Sequence, residues 1–569
     1  MSSIPPFLIF FAGALVVPFL RNVPRVRMAF LVLVPILGAL NVWGIQEGYE
    51  VQYRLLGLTL TPVRADSLGL LFGYLFHLGA FISIIYSLHL GRGENATVQH
   101  TAALVYAGSA LGAVFAGDFI TLFVFWELLA ISSVFLIWAR GTRVAVRSGM
   151  RYLLVHVVSG VTLLAGAMVH WSQTGSLAFG EMGLGSLAGW LVFIAIGIKA
   201  AFPLLHSWLI DAYPESTPTG TVFLSAFTTK VAVYALARAF PGADPLIYIG
   251  AVMACFPIFY AVIENDLRRT LGYSMINQIG FMVCGIGVGS TLAINGAVAH
   301  AFNDVLFKGL LFMSLGAVMH MTGKTKASEL GGLYKTMPIT AGLCIIGALS
   351  ISAVPFFNAF VSKSMIMSAL LEEHLYWIWP VMLFASAGVV EHAGIKIPYF
   401  AFFAHDSGIR TREPPVNMLV AMGIGAALCL AIGIRPGLLY GLLPWDVDYS
   451  AYDYTHMLTQ LQLLCFAIAA VAAFHLWKIY PAEIPSVNLD ADWVYRRAAV
   501  RVTRFVGGAV GAADAAMRGV VLGGVGRAMR GAFRSHGPRG VLARSWPAGS
   551  MVLWVSILLT AFILFFQFF

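Results

Sequence analysis

The stretch GIKAAFPLLHSWLIDAYPEST, Gly197 to Thr217, places a lysine, a histidine and a mid-segment proline inside a long apolar run. An ionisable group in a spanning helix costs about 2.5–3.5 kcal/mol on insertion scales, so Lys199 there needs a partner, water or a use. Outward from this stretch the chain is apolar almost throughout. Of its 569 residues, 59% are hydrophobic and 11% charged, and its mean hydropathy is +0.84. That balance leaves too little polar surface for a soluble domain. Apolar runs long enough to cross a hydrocarbon core recur along nearly the whole chain, roughly sixteen in number. The fold class is therefore an all-α polytopic membrane protein.

The first run, Ile4 to Leu20, is followed by Arg21, Arg25 and Arg27 rather than preceded by them, so it reads as a spanning helix and not a signal peptide. Further basic clusters fall at Arg140/Arg143/Arg147/Arg151, Arg268/Arg269, Lys324/Lys326/Lys335 and Arg410/Arg412. The intervening loops are bare or acidic, with Glu181, Glu372/Glu373 and Asp446/Asp448/Asp453. Sixteen crossings put every basic cluster on one face. The positive-inside rule makes that face cytoplasmic and leaves both termini outside. The glycosylation-like triplet Asn95-Ala96-Thr97 then lies on the wrong side to be used. The five cysteines sit inside apolar runs with no metal or redox spacing and read as small core residues.

From Pro481 to Trp546 the composition shifts to a glycine-rich segment with ten arginines and few acids. Tethered between two spanning helices, such a segment has the anionic inner leaflet or another protein of the same assembly as its nearest counterpart, ahead of nucleic acid. Its glycine content makes partial disorder an expectation. A final spanning helix follows over Ser550 to Phe569.

The charges inside the membrane form a short series. Glu127 lies in FITLFVFWELLAISSVFLIW, and Lys199 and Lys230 lie on either side of a short acidic loop. His300, Asp304 and Lys308 follow in AVAHAFNDVLFKGLLF, four apart and so on one helix face. Lys363 follows Pro355 in SAVPFFNAFVSKSMIM. Prolines near Lys199 and Lys363 mark two interrupted helices, which expose carbonyls and dipole ends near the midplane. Burial disfavours the charged form of an amine and a nearby carboxylate favours it, so lysines with one glutamate make a workable proton relay. The plain structural alternatives are a Glu127–Lys199 ion pair locking two helices and an Asp304–Lys308 pair one turn apart. Asp118, ahead of an apolar run, reads as a helix N-cap. His77, His156 and His392 read as satisfied helix-contact histidines. His206, beside the break, also reads as a relay or gating group, and Glu391 with Lys396 in VVEHAGIKIPYF forms a second-tier pair.

GDFITLFVFWELL, IKAAFPLLHSWLIDAYPESTPTGTVFLSAFTTKVAVYALAR, ENDLRRTLGYSMINQIGFM, HAFNDVLFKGLLF and PFFNAFVSK occur in that order. Over roughly residues 65 to 440 the chain resembles the antiporter-like proton-translocating subunits of respiratory complex I, membrane-bound hydrogenases and Mrp-type cation/proton antiporters. GIKIPYFAFFAHDSGIR and LDADWVYRR point toward the D-type component of a bacterial Mrp antiporter. The resemblance implies a core of about fourteen helices with two inverted five-helix repeats and two broken helices, plus extra C-terminal helices. It divides the chain into spanning helices over 1–97, a first repeat over 98–240, a second over 241–405, further spanning helices over 406–480, a basic cytoplasmic surface segment over 481–548 and a last helix over 549–569. It assigns Glu127 and Lys199 as the modulating pair of the first repeat, Lys230 as the link, His300 and Lys308 as the centre of the second repeat, and Lys363 as its broken-helix lysine near the exit. Asp304 departs from the asparagine or threonine followed by histidine common at this point in the family. An acid one turn before Lys308 favours its charged form.

The function so implied is the proton-translocating subunit of a multi-subunit Na+/H+ antiporter in a bacterial inner membrane, with H+ and Na+ as transported ions and other membrane subunits as partners. The alternatives are a pump subunit of an NADH:quinone oxidoreductase or membrane hydrogenase, or an energising subunit for inorganic-carbon uptake. No GxGxxG after a strand, iron–sulfur pattern or haem motif is present. Cofactors and resident metals are therefore expected on a partner and not on this chain. A mere scaffold has no reason to keep so many costly charges.

Overall fold

The computed structural model describes residues 4–55, 57–91, 94–446, 448–484, 488–545 and 547–568. Trp546 and Phe569, the expected ends of the basic segment and the last helix, lie outside the described residues. The chain is a multi-pass helical membrane protein. Fourteen helices are long and apolar enough to cross a bilayer, and three more apolar helices are shorter. Counting each broken helix once and setting aside the basic Val494–Ala543 stretch leaves sixteen crossings, the number expected from hydropathy.

After α1 (Pro6–Leu20) and α2 (Pro24–Trp43) comes the one departure from an all-α chain among the described residues, a hairpin of β1 (Glu50–Leu55) and β2 (Leu58–Arg64). Its Thr61 N–H donates to Asp118 Oδ2 at 2.6 Å, and its Thr61 carbonyl accepts from Gly117 N at 2.8 Å. The hairpin is thus fixed beside the start of α5. Then follow α3 (Ser67–Ser87) and two sets of five crossings.

The first set is α4 (Glu94–Phe115), α5 (Phe119–Trp138), α6 (Arg143–Thr174), the broken pair α7 (Leu187–Lys199) and α8 (Ser207–Ala212), and α9 (Pro218–Ala239). The second is α10 (Asp244–Ile263), α11 (Leu267–Val288), α12 (Thr291–Thr322), the broken pair α13 (Pro338–Ile351) and α14 (Asn358–Glu372), and α15 (Ile378–Phe403). An odd number of crossings starts the second set from the opposite face, which makes the repeats inverted. The sets correspond in detail. Asp118 caps α5 and Asp266 caps α11; α6 and α12 each run 32 residues and end on a left-handed glycine, Gly175 and Gly323. Isolated bridges Asp118–Ala178 and Asp266–Lys326 complete the match.

Both breaks use the same device. In Ala201-Phe-Pro-Leu204 and Ala353-Val-Pro-Phe356 the first and last residues hold positive φ: 63° and 68°, then 55° and 72°. Pro203 and Pro355 supply no N–H and bar helix from the residue before them. Four non-glycine residues in this region cost about 1–3 kcal/mol each, a strain retained where the ends of helices must face one another.

Next come α16 (Val416–Ile434) and α17 (Tyr454–Leu476). The chain divides into two compact units, 1–490 and 491–569, so residues 481–490 belong with the spanning body rather than with the basic segment. The second unit holds α18 (Val500–His536) and α19 (Ala548–Phe568). The expected disorder is not found: α18 is continuous over 37 residues. Each glycine costs only about 1 kcal/mol against alanine, and the alanines, arginines and aliphatic residues between them sustain the helix. Every residue of α18 is exposed or half-exposed within its unit.

Two basic residues behind the orientation argument are buried. Arg27 donates to the Gly91 carbonyl at 2.7 Å, and Arg268 to the Pro214 and Ser216 carbonyls at 2.8 and 3.1 Å. They act as loop clamps rather than as free loop charges.

Candidate functional site

In the first repeat, Lys199 ends α7 fully buried at the break. Its ammonium donates to the Trp126 carbonyl at 2.8 Å and lies 4.2 Å from the Trp126 ring centroid, a cation–π contact added to a hydrogen bond. Trp126 is held in turn, its indole N–H donating to Ser159 Oγ at 3.0 Å. Glu127, the next residue, turns its carboxyl into the space left by Gly160 on α6, where any Cβ would collide with it. Its Oε1 is buried without a partner. The expected Glu127–Lys199 pair is therefore adjacent but not in ion-pair contact; Trp126 stands between the two charges.

Lys230 lies on α9 just after an irregular turn at Phe227, and its ammonium donates to the Ser225 carbonyl at 3.1 Å. It forms an ion pair with Asp304 of α12, both side chains wholly buried. Asp304 therefore does not serve Lys308, as the four-residue spacing implied. Lys308 points to α11 and donates to Ser274 Oγ at 2.7 Å. The reason is geometric: neighbours on a stripe share a face, but α9 and α11 pack against different parts of it. One consequence is an ion pair that joins the two repeats.

His300 is clamped at both nitrogens. Gln278 Oε1 lies 3.0 Å from Nε2 and Ser362 Oγ 2.9 Å from Nδ1. An amide oxygen only accepts, so Nε2 carries the hydrogen and Nδ1 accepts from Ser362. Ser362 precedes Lys363, so this bond ties His300 to the second broken helix. Asn303 adds bonds to the Asn358 carbonyl and Ser362 Oγ at 2.8 and 3.1 Å. Lys363 reaches back across the break to the Ile351 carbonyl at 3.2 Å, with Phe281 4.9 Å away. The bared C-terminus of α13 thus faces a cation, as helix dipoles favour. Lys199, Lys230, Lys308, Lys363 and His300 are all buried, and none of them faces lipid.

The second tier is tied to residues that the sequence did not single out. His206 Nε2 lies 3.1 Å from Asp490, which also accepts from the Tyr273 hydroxyl at 2.7 Å. Lys396 donates to the Ala261, Val262 and Glu264 carbonyls and pairs with Glu483 at 2.8 Å. The Tyr480 hydroxyl donates to Glu391 at 2.6 Å. Glu391 and His392 sit in a π-helical stretch of α15, Val390–Ile395, a distortion common at functional positions. Acids in an otherwise basic segment were the available signal for Glu483 and Asp490. The satisfied reading fails for His156 and His392: both rings are buried and neither nitrogen of either has a partner. Asp118 is the N-cap expected, accepting from Thr121 N at 2.8 Å. Among the described residues no cluster of acids, histidines and cysteines is arranged to hold a metal. The arrangement holds charge on amines and carboxyls in a connected buried line, which is what proton transfer through a membrane requires.

Comparison with known proteins agrees with this geometry. The profile described as NADH:quinone oxidoreductase/Mrp antiporter, TM, matches residues 116–388. A Na(+)/H(+) antiporter component of Alkalihalophilus pseudofirmus is 28% identical over 77% of this chain and 61% of its own length. The Hydrogenase-4 component B of Escherichia coli K12 is 27% identical over 65% of this chain and 62% of its own. The chain thus spans about three-fifths of the curated relatives it matches. The Mrp complex from Dietzia sp. DQ12-45-1b contains a chain of like fold, with a TM-score of 0.77 at 24% identity over 93% of this chain and 63% of that one. The inverted repeats, the two breaks and the matched segment agree: residues 116–388 carry the transmembrane domain of the NADH:quinone oxidoreductase/Mrp antiporter family.

Proposed function

We propose that this chain is the proton-translocating subunit of a multi-subunit antiporter that exchanges H+ for a monovalent cation, Na+ by analogy with the relative's name. The observation that carries the reading is the buried line Glu127, Lys199, Lys230 with Asp304, His300 with Lys308, and Lys363, which runs through both repeats and is bridged by the Lys230–Asp304 pair. A structural role alone does not account for it, because a buried ion pair is no more stabilising than well-packed apolar residues. Protons move along the line; the chain binds no redox cofactor of its own. The setting is a bacterial inner membrane with the basic loops cytoplasmic and both termini outside. Residues 491–548 lie on the cytoplasmic surface against anionic lipid or another protein of the complex.

Lys199→Ala in the assembled complex should abolish cation-driven proton exchange in everted vesicles while expression stays near normal; undiminished exchange would remove the reading. A second reading is a pump subunit of a redox complex, favoured by the likeness to Hydrogenase-4 component B. Native purification separates them: nucleotide- or iron–sulfur-bearing subunits mark the redox complex, and several small membrane subunits mark the antiporter.

A further inference from the structure

Lys363 lines a cavity of about 120 Å³ together with Ser364, Ser368 and Ser386, and with His456 and Gln460 of α17. That space admits several waters, and its lining offers them polar partners. At its far side Ser368 Oγ lies 2.7 Å from His456 Nε2 and 3.4 Å from the Tyr449 hydroxyl. His456 Nδ1 lies 3.1 Å from Asp453 Oδ2, and the other Asp453 oxygen accepts the His456 backbone N–H at 2.8 Å. One carboxylate therefore caps α17 and orients the imidazole. The tautomer follows: Nδ1–H donates to Asp453, leaving Nε2 to accept from Ser368. Exposure rises along this line, from 4% at Lys363 to 27% at the His456 side chain and 49% at Asp453. The other ionisable groups facing His456 are Lys363 across the cavity and Tyr449 through Ser368; α15 offers Trp379, Leu383 and Ser386, none of them titratable.

We propose that His456, oriented by Asp453, passes protons between the Lys363 cavity and the face of the protein that carries Asp446, Asp448 and Asp453. The step rests on the relay reading above. The Lys363 ammonium gives a proton through cavity water to His456 Nε2, and the imidazolium is balanced by Asp453 at Nδ1. Release of one proton to solvent restores the neutral ring and leaves Lys363 a neutral amine, ready for the next proton from the His300 side. The reverse sequence loads the relay.

The test uses the assembled complex in vesicles. His456→Gln, which keeps hydrogen bonding but cannot carry the proton, should slow exchange about a hundredfold and remove the limb of the pH profile set from the acidic-loop face. Lys199→Ala is run in parallel. A normal rate and pH profile in His456→Gln beside a dead Lys199→Ala overturns this exit and leaves the relay standing; an active Lys199→Ala overturns the relay itself. An independent readout needs no transport. Because Cys465 is exposed, Ser368→Cys is made on a Cys465→Ser background and treated with a membrane-impermeant thiol reagent. Labelling from the acidic-loop face is expected; labelling from the basic-loop face alone would overturn the proposal.

Discussion

Asp304 is the residue on which the centre of the molecule turns, because it neutralises a lysine of the other repeat rather than the one on its own helix. Lys308 is left with a serine hydroxyl as partner, a group that carries no net charge to balance it. Asp304→Asn should therefore leave the Lys230 ammonium buried without a counter-charge, at a cost of about 3–5 kcal/mol, seen as a large drop in thermal midpoint of the purified complex. Adding Lys230→Met should recover most of that stability and none of the exchange, since the charge pair is then gone on both sides. Recovery of exchange in the double variant would mean the pair only locks helices. The identities of the intramembrane charges were legible because hydropathy makes a lone lysine conspicuous. Their partners were not, because spacing fixes the face a residue shares and says nothing of which neighbouring helix covers it. His156 shows the same limit: a histidine in an apolar run reads as satisfied, yet its ring lies 4.3 and 4.5 Å from the Tyr152 and Trp208 rings with no polar partner.

At the scale of elements, the two breaks were the most legible features, since each proline removes a donor and restricts its predecessor. The hairpin of β1 and β2 was not, because a window long enough to find a spanning helix averages away a strand. The loop after α15 shows what anchors such segments. Glu413 accepts from Ile339 N and Thr340 Oγ1, both at 2.6 Å, and so caps α13 from a distance. Asp406 accepts from Arg410 and Lys335 and from the Gly408 N–H. Hydrogen bonds from Arg410 first, then Lys335 and Gly408, hold its carboxyl far below the ordinary 3.8. A carboxyl depressed on folding stabilises above its unfolded value and loses that contribution only as pH falls through the folded one. The Gly408 amide should accordingly keep its hydrogen-exchange protection, corrected for intrinsic rate, from pH 8 to about 4 and lose it only in stronger acid. Loss of protection near pH 6 would show that the contacts do not persist in solution.

Across the whole molecule, the inverted repeats meet at more than the midplane. The chain segment after α17 sets Glu483 on Lys396 of the second repeat and Asp490 on His206 beside the break of the first. Asn488 adds a bond to Glu264 at 3.2 Å, in the turn that opens the second repeat's paired helices. Composition hid this, because the segment reads as part of a basic tail while its few acids are the side chains that dock. Each contact is buried, with side-chain exposures of 0% and 8% for Lys396 and Glu483 and 3% and 9% for His206 and Asp490. Glu483→Gln and Asp490→Asn should each destabilise the spanning body by about 1–3 kcal/mol. If one segment fastens both repeats, losing either contact loosens the other, and the pair should show an interaction energy of about 0.5–3 kcal/mol in a double-mutant cycle. Chemical denaturation of the two single variants and the double variant in detergent measures it. Strictly additive losses would mean that the two carboxylates anchor their helices separately and that the repeats are joined only through Lys230 and Asp304.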